Sequence, residues 1–250
     1  MKQKAQIISD CKILLEAYKT GKLGNIIMPE DSNPGFSEKE KEICLVYFTL
    51  PMSLNYQRDS YKLWESVLKT FNDHETRIIF NIQTSAIIDE NVLREYLLKY
   101  KIALQPNKHI TTWQKIAKTI FENWGSIESL LVAADYDFLK LKEIIQEEFK
   151  SGFPYLSGPK IFNYWCFIIQ KYGNMKLKNS EFIEIAPDTH VTRCSVILGV
   201  ITQEEAENLT KEKISEKWRK LLIGTGINPI DMHSPLWFLS RNNFQFKIKR

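Results

Sequence analysis

The sequence predicts an all-α protein, because apolar residues recur at helical spacing along almost all of its 250 residues. Hydrophobic residues make up 44% of the chain and charged residues 26%, which is typical of a globular protein with a buried core. No apolar run approaches the roughly 20 residues of a transmembrane helix, so we expect no membrane partner and a cytoplasmic location. The net charge of +4 permits binding to a polyanion without requiring it.

The first 134 residues read as a series of amphipathic helices separated by loops. Ser37-Glu-Lys-Glu40 has the form of a capping box and therefore marks a helix start. The segment 76–82 fits either a strand or a short helix, and the short helix is the favoured prediction. Helices are predicted at about 4–19, 37–50, 61–71, 76–82, 89–100, 111–124 and 126–134.

The second part of the chain continues the helical pattern. A helix is predicted from Asp135 towards Gly152, and another follows Lys160 with Phe162, Trp165 and Ile169 on its apolar face. Thr202-Gln-Glu-Glu205 is predicted to open one long charged helix that ends near residue 224. Further predicted features are a polar loop at 173–184, a helix that starts at 188–189 and a last helix at about 229–241.

The stretch Phe153-Pro-Tyr-Leu-Ser-Gly-Pro-Lys160 predicts a hairpin between two helices. Gly158 is expected to supply the positive φ of a tight turn, and Pro159 suits the first turn of the next helix. Lys160 follows at once, where the helix dipole disfavours a further positive charge. If the site is also desolvated, this position favours a neutral amine, which is the nucleophilic form of lysine.

A second motif is Ala186-Pro-Asp-Thr-His-Val-Thr-Arg193, in which Asp188 is predicted to be a helix N-cap. Taken singly, Lys160 is an ordinary surface lysine and Asp188 an ordinary cap. Together, a lysine that opens one helix and an aspartate that opens the next predict a nucleophile and a carboxylate at one cleft.

The four cysteines, Cys11, Cys44, Cys166 and Cys194, include no C-x-x-C pair. We therefore predict buried reduced thiols and neither a zinc site nor an iron–sulfur cluster. The four histidines show no H-x-x-x-H spacing, and His190 is expected to make a structural hydrogen bond rather than bind a metal.

Pro154-Tyr-Leu-Ser-Gly-Pro-Lys160 followed by Pro187-Asp-Thr-His-Val191 resembles the signature of the helix-hairpin-helix DNA glycosylase superfamily. Leu156 stands where the first hairpin glycine of that signature would be. The interval from lysine to aspartate, 188 − 160 = 28 residues, is longer than in endonuclease III and is similar to that of the archaeal GO glycosylase branch.

The resemblance implies a two-lobed helical fold with an active-site cleft between the lobes. One lobe would be a helical barrel over residues 52–172 that ends in the helix-hairpin-helix. The other would combine residues 1–51 with 173–250. Lys160 and Asp188 would be the catalytic residues at the cleft.

The activity implied is that of a bifunctional DNA N-glycosylase and abasic-site lyase of base excision repair, acting on 8-oxoguanine. Its partner would be double-stranded DNA that contains a damaged base, and the protein would be a nucleoid-associated monomer. The hairpin carbonyls would hold at most a structural monovalent cation, and no other cofactor or metal is implied.

Further site residues follow from the same resemblance. His233 stands where that branch has an aspartate that contacts the base. Asn55 or Gln57 is a candidate to fill the space left by an extruded nucleotide, although a role as an ordinary polar loop residue is favoured for both. The base pocket would comprise Trp64, Tyr164, Trp237 and His233. The DNA backbone would be bound by Ser157, Gly158, Lys160, Thr189 and His190.

Two other functions are compatible with these motifs. Helix-hairpin-helix units also serve as non-catalytic clamps on DNA phosphates. A glycosylase that acts on another modified base, or on an RNA or nucleoside substrate, would share the fold. The lysine favours a lyase, since water suffices as the nucleophile of a simple glycosylase.

Overall fold

The computed structural model describes residues 3–248, and this part of the chain is all-helical, as the sequence predicts. Within it, no β-structure occurs apart from one isolated bridge between Asp137 and Lys178. No helix in these residues is long and apolar enough to cross a membrane. The helices are α1 (Lys4–Lys19), α2 (Lys41–Thr49), α3 (Ser60–Asn72), α4 (Ile82–Ile87), α5 (Glu90–Lys99), α6 (Pro106–Trp124), α7 (Ile127–Ala133), α8 (Phe138–Glu143), α9 (Pro159–Tyr172), α10 (Thr189–Leu198), α11 (Gln203–Asn208), α12 (Lys211–Leu222) and α13 (His233–Arg241).

The chain forms two compact units. The central unit is Met28–Asn179, and the terminal unit combines Met1–Ile27 with Ser180–Arg250. Residues 28–51 and 173–179 thus belong to the central unit, whereas the sequence places them in the other lobe.

The reason for this difference is that both segments are bonded into the central unit. The Tyr47 ring and the Phe48 ring lie in its aromatic core, and the Tyr47 hydroxyl donates a hydrogen bond to the Ser32 carbonyl (2.8 Å). The Lys178 amide donates to the Tyr136 carbonyl (2.7 Å). Contacts between residues far apart in the sequence therefore determine the boundary between the two units. The local periodicity of apolar residues does not predict such contacts.

The core of the central unit is built largely from aromatic side chains. Trp113 and Trp165 are fully buried, and each indole N–H donates to a hydroxyl. The acceptors are Ser85 Oγ for Trp113 (3.0 Å) and Thr49 Oγ1 for Trp165 (2.8 Å). These bonds offset the cost of burying the indole nitrogens.

The segment predicted to form the hairpin, residues 153–160, follows α8 and ends in the first turn of α9. After α8 the chain continues through a π-helical segment at Ile144–Glu148 and a 3-10 turn at Lys150–Gly152 before the hairpin turn. The prediction of a positive φ at Gly158 is wrong, since its φ is −67° and the positive φ of the turn, 60°, is at Tyr155. A Cβ at position 158 would lie 3.1 Å from the Tyr155 carbonyl oxygen, which is a tight contact, so glycine fits this turn without a shift of the backbone.

In the terminal unit α13 packs against α1 and α10, and α12 also contacts α1. The buried Trp218 indole N–H donates to Ser195 Oγ (2.8 Å). The single long helix predicted after Thr202 is wrong, since the chain forms α11 and α12 with a break at residues 209–210. Thr210 starts the second helix as its N-cap by accepting a hydrogen bond from the Lys213 amide (3.4 Å).

Candidate functional site

Lys160 lies in the first turn of α9, at the start of the second helix of the hairpin. Its side chain is exposed, and no described residue of the central unit forms a hydrogen bond or ion pair with its ammonium group. The N-cap of α9 is Gly158, so no side chain caps the helix, and Pro159 has no amide hydrogen. The lysine therefore stands beside helix amides that have no side-chain acceptor.

The backbone amides of the hairpin turn are directed into the turn itself. The Ser157 amide donates to the Phe153 carbonyl (2.9 Å), and the Gly158 amide donates to the Tyr155 carbonyl (3.0 Å). The predicted phosphate donors at 157 and 158 are thus already used within the hairpin. The same bonds occupy two of the carbonyls predicted to hold a monovalent cation, and that cation stays a prediction.

Tyr164 lies one helical turn after Lys160, since residues four apart are neighbours on a helix. Its ring is half-buried, and its hydroxyl donates a hydrogen bond to Glu30 Oε2 (3.1 Å). Two turns further on, the Tyr172 hydroxyl donates to Asp31 Oδ1 (2.6 Å). Two tyrosines of α9 thus hold the short 3-10 turn at Pro29–Asp31.

Glu30 is fully buried, and sequence reasoning did not identify it. Burial raises its pKa to about 7, although its own backbone amide, Tyr164, Trp64 and Lys171 each lower it. Among the described residues, Oε1 of this carboxyl has no hydrogen-bond partner. A buried acid that titrates near neutral pH, with one oxygen unsatisfied, is typical of a functional site.

Trp64 is fully buried and packs against aromatic rings of the central core. Its ring centroid lies 5.8 Å from that of Tyr47 and 5.4 Å from that of Phe48. Its indole nitrogen lies close enough to Glu30 to lower the pKa of that carboxyl, but makes no hydrogen bond of normal geometry within residues 3–248. Trp64 thus differs from Trp113 and Trp165, whose indole nitrogens have hydroxyl acceptors.

Asp188 is the N-cap of α10, as predicted. Its Oδ1 accepts a hydrogen bond from the Val191 amide (2.8 Å), and its side chain is partly exposed.

Burial, with a smaller contribution from the Asp188 charge, raises the pKa of Cys194 to about 12. That thiol is therefore no nucleophile at neutral pH.

His190 makes the structural hydrogen bond that the sequence predicts, with its Nδ1 at 3.0 Å from Ser240 Oγ. Its ring meets the edge of Trp237, at 5.6 Å between centroids, and the Arg241 guanidinium lies 5.0 Å from the Trp237 ring centre. His233 is buried one turn before Trp237 on α13. The terminal unit thus brings together three residues predicted for the DNA-binding site, namely His190, His233 and Trp237.

Thr189 is exposed at the start of α10 and lines a surface groove. The groove also contains Arg193 and Lys211, and the Lys211 ammonium donates to Thr192 Oγ1 (3.0 Å). Glu207 is the acidic residue of its wall.

Among residues 3–248, no group of three or more His, Cys, Asp or Glu side chains is arranged to hold a metal ion. No protein-family model matches the chain, and a search of curated proteins finds no match either. The glycosylase resemblance therefore stays a prediction that the two motifs carry.

Proposed function

We propose that the protein is a bifunctional DNA N-glycosylase and abasic-site lyase that removes a damaged base from double-stranded DNA. The observation that supports this most is the exposed amine of Lys160, which has no ionic partner within its unit and opens the second helix of a hairpin. One turn after Lys160, the Tyr164 hydroxyl is hydrogen-bonded to the buried carboxyl of Glu30. A protein that only binds DNA phosphates would have no use for this arrangement.

In the proposed reaction, Lys160 Nζ attacks C1′ of the damaged nucleotide. The base leaves with the electrons of the N-glycosidic bond, the amine loses a proton, and opening of the sugar ring leaves an imine between lysine and sugar. Loss of a proton from C2′ then expels the 3′ phosphate by β-elimination and nicks the strand. The resemblance assigns to Asp188 the carboxylate that stabilises the positive charge at C1′ in the first step.

Tyr164 is proposed to stack on the extruded base, and Glu30 is proposed as the residue that positions it. The hydrogen bond from the Tyr164 hydroxyl to Glu30 fixes the ring at its far end. An aromatic wall suits a large flat base, and the resemblance favours 8-oxoguanine. The Trp237 ring is proposed as a second stacking surface.

DNA phosphates are proposed to bind at two places. One is the uncapped first turn of α9, where the helix dipole favours an anion. The other is the groove with Thr189, Arg193 and Lys211. Because both would contact phosphates rather than base edges, affinity should fall steeply as salt concentration rises.

Borohydride trapping on duplex DNA with 8-oxoguanine, and on the same duplex with an abasic site, tests the proposal. Wild type should form a covalent adduct with both, and Lys160→Gln with neither, while still binding the abasic duplex. Lys142→Gln is the matched control, since Lys142 is an exposed lysine on the first helix of the hairpin.

The main alternative is a non-catalytic DNA-binding protein. It would bind both duplexes with strong salt dependence but yield no adduct with wild type. An adduct at wild-type yield in Lys160→Gln would assign the nucleophile to another amine.

A further inference from the structure

A pair of aromatic side chains lies at the surface of the central unit beside the hairpin. The Tyr56 side chain is 50% exposed, and its ring packs on Tyr155 with 5.7 Å between centroids. Tyr155 is the residue of the hairpin turn with positive φ, five positions before Lys160. An exposed aromatic ring is thus supported by the turn that leads to the proposed nucleophile.

The loop that carries Tyr56 is held on its C-terminal side by hydrogen bonds. The Arg58 guanidinium donates to the carbonyls of Ile102 (2.6 Å) and Lys101 (3.2 Å). Ser60 Oγ donates to Asn55 Oδ1 (3.0 Å). Asn55, one of the two residues predicted to fill the duplex, is thus used within the loop, and Tyr56 is presented from a fixed backbone.

Backbone strain is concentrated around the same loop. Within residues 3–248, the residues other than Gly, Asn and Asp that have positive φ are Gln57, Lys101, Tyr136, Tyr155 and Phe244. Gln57 adjoins Tyr56, Tyr155 contacts it, and the Lys101 carbonyl binds Arg58. Such conformations persist only where surrounding contacts impose them, and they cluster at functional sites.

The charge near this loop is positive. Lys101 and Lys108 are both exposed, and neither forms an ion pair with another described residue. The pKa of His109 is lowered by burial and by the charges of Arg58 and Lys108. The acid closest along the chain is Asp59, which caps α3 by accepting from the Lys62 amide (3.1 Å). The surface therefore suits a polyanion such as the DNA backbone.

We propose that Tyr56 enters the duplex and fills the space that the extruded nucleotide leaves, with Tyr155 supporting its ring and Lys101 and Lys108 contacting flanking phosphates. This inference rests on the proposed function. Extrusion removes a base from the stack, and an inserted side chain that stacks on the neighbouring bases offsets part of that cost. A ring on a fixed loop loses little conformational freedom when it inserts.

The test compares base excision from a fully paired duplex with excision from the same strand as single-stranded DNA, each containing 8-oxoguanine. Tyr56→Ala should lower excision from the duplex by about 5- to 150-fold, the ratio that corresponds to one base–aromatic stacking contact. Excision from the single strand should change less than twofold, because that substrate has no stacked duplex to open. Tyr56→Phe should behave as wild type.

Phe182→Ala is the matched control, because Phe182 is a 45% exposed aromatic residue of the terminal unit, and it should leave both rates unchanged. Borohydride trapping of each variant on abasic-site DNA separates this inference from the proposed function. If wild type traps no adduct, both are overturned. If Tyr56→Ala forms the covalent adduct normally and excises the base from the duplex at the wild-type rate, Tyr56 is not the inserted residue and the lysine chemistry stands. The same conclusion follows if the variant forms the adduct normally but its excision rates on the duplex and on the single strand fall by the same factor.

Discussion

Glu30 in the central unit and Asp188 in the terminal unit carry the same chemical group in opposite surroundings. Asp188 is partly exposed, and its carboxylate accepts a hydrogen bond at the start of a ten-residue helix. Glu30 is fully buried, has one oxygen without a partner among the described residues, and has a pKa raised to about 7. The first carboxyl caps a helix and is partly exposed, whereas burial of the second raises its pKa.

This difference separates two roles. A carboxylate that must face a developing positive charge has to be ionised at neutral pH, and a helix N-terminus with solvent access favours that form. A carboxyl that holds a tyrosine hydroxyl can work in either protonation state, because it accepts a hydrogen bond when ionised and can donate one when protonated. On the proposed function, Asp188 would act in the chemical step and Glu30 would position Tyr164.

The largest effect that would test this division is on base excision. Asp188→Asn keeps a capping side chain, so folding should be preserved, but excision should fall about 100- to 1,000-fold because the charge is lost. Glu30→Gln, a matched removal of a carboxylate, should change excision at pH 7 by only a few fold. Single-turnover kinetics on both variants measures this. Equal losses in the two variants would break the division.

The next effect concerns stability and pH. The pKa of Glu30 in the folded protein, about 7, lies above its ordinary value of 4.5. Between these values the folded protein keeps a proton that the unfolded chain has released, so stability should fall as pH rises from about 4.5 to 7. The fall should be about 3 kcal/mol and should be absent in Glu30→Gln. Urea unfolding of both proteins at pH 5 and pH 8 checks it, and parallel pH profiles would refute it.

A smaller effect is expected from the tyrosine that binds Glu30. Tyr164→Phe keeps the ring but removes the donor to the ionised carboxyl, so the pKa of Glu30 should rise further. The free energy of unfolding should fall by about 2 kcal/mol at pH 8 and by less at pH 5. Tyr172→Phe, which removes the corresponding bond to Asp31, is the control and should show no such difference between the two pH values. If Tyr164→Phe lowers the free energy of unfolding equally at both pH values, the hydrogen bond to Glu30 is not the cause of the loss.

The smallest effect is on the cap of α10. Asp188→Ala should lower the free energy of unfolding by about 1 kcal/mol, because the Val191 amide loses its acceptor. Asp188→Asn should restore most of that loss. Thermal or urea unfolding measures both. If alanine costs no stability, the observed hydrogen bond contributes nothing to the start of this helix.

The sequence predicts most of the helices and the start of α10, because periodicity and capping are local signals, but it misses α4 and the break between α11 and α12. It does not predict which residue of the turn at 153–160 has positive φ, since that residue is Tyr155 rather than Gly158. It does not predict Glu30 either, because that residue sits in a loop rich in glycine and proline, and its partner Tyr164 is 134 positions away. A buried loop acid is defined by long-range packing, which leaves no local pattern to detect.

The terminal unit combines α1, which precedes the central unit in the sequence, with α12 and α13, which follow it, and α1 packs against both of these helices. During synthesis on the ribosome α1 is made before the central unit, and it can pack against α12 and α13 only after those helices have followed. The central unit has its own core and is complete earlier. Translation should therefore pass through an intermediate in which the central unit is folded while α1 has not yet packed against α12 and α13.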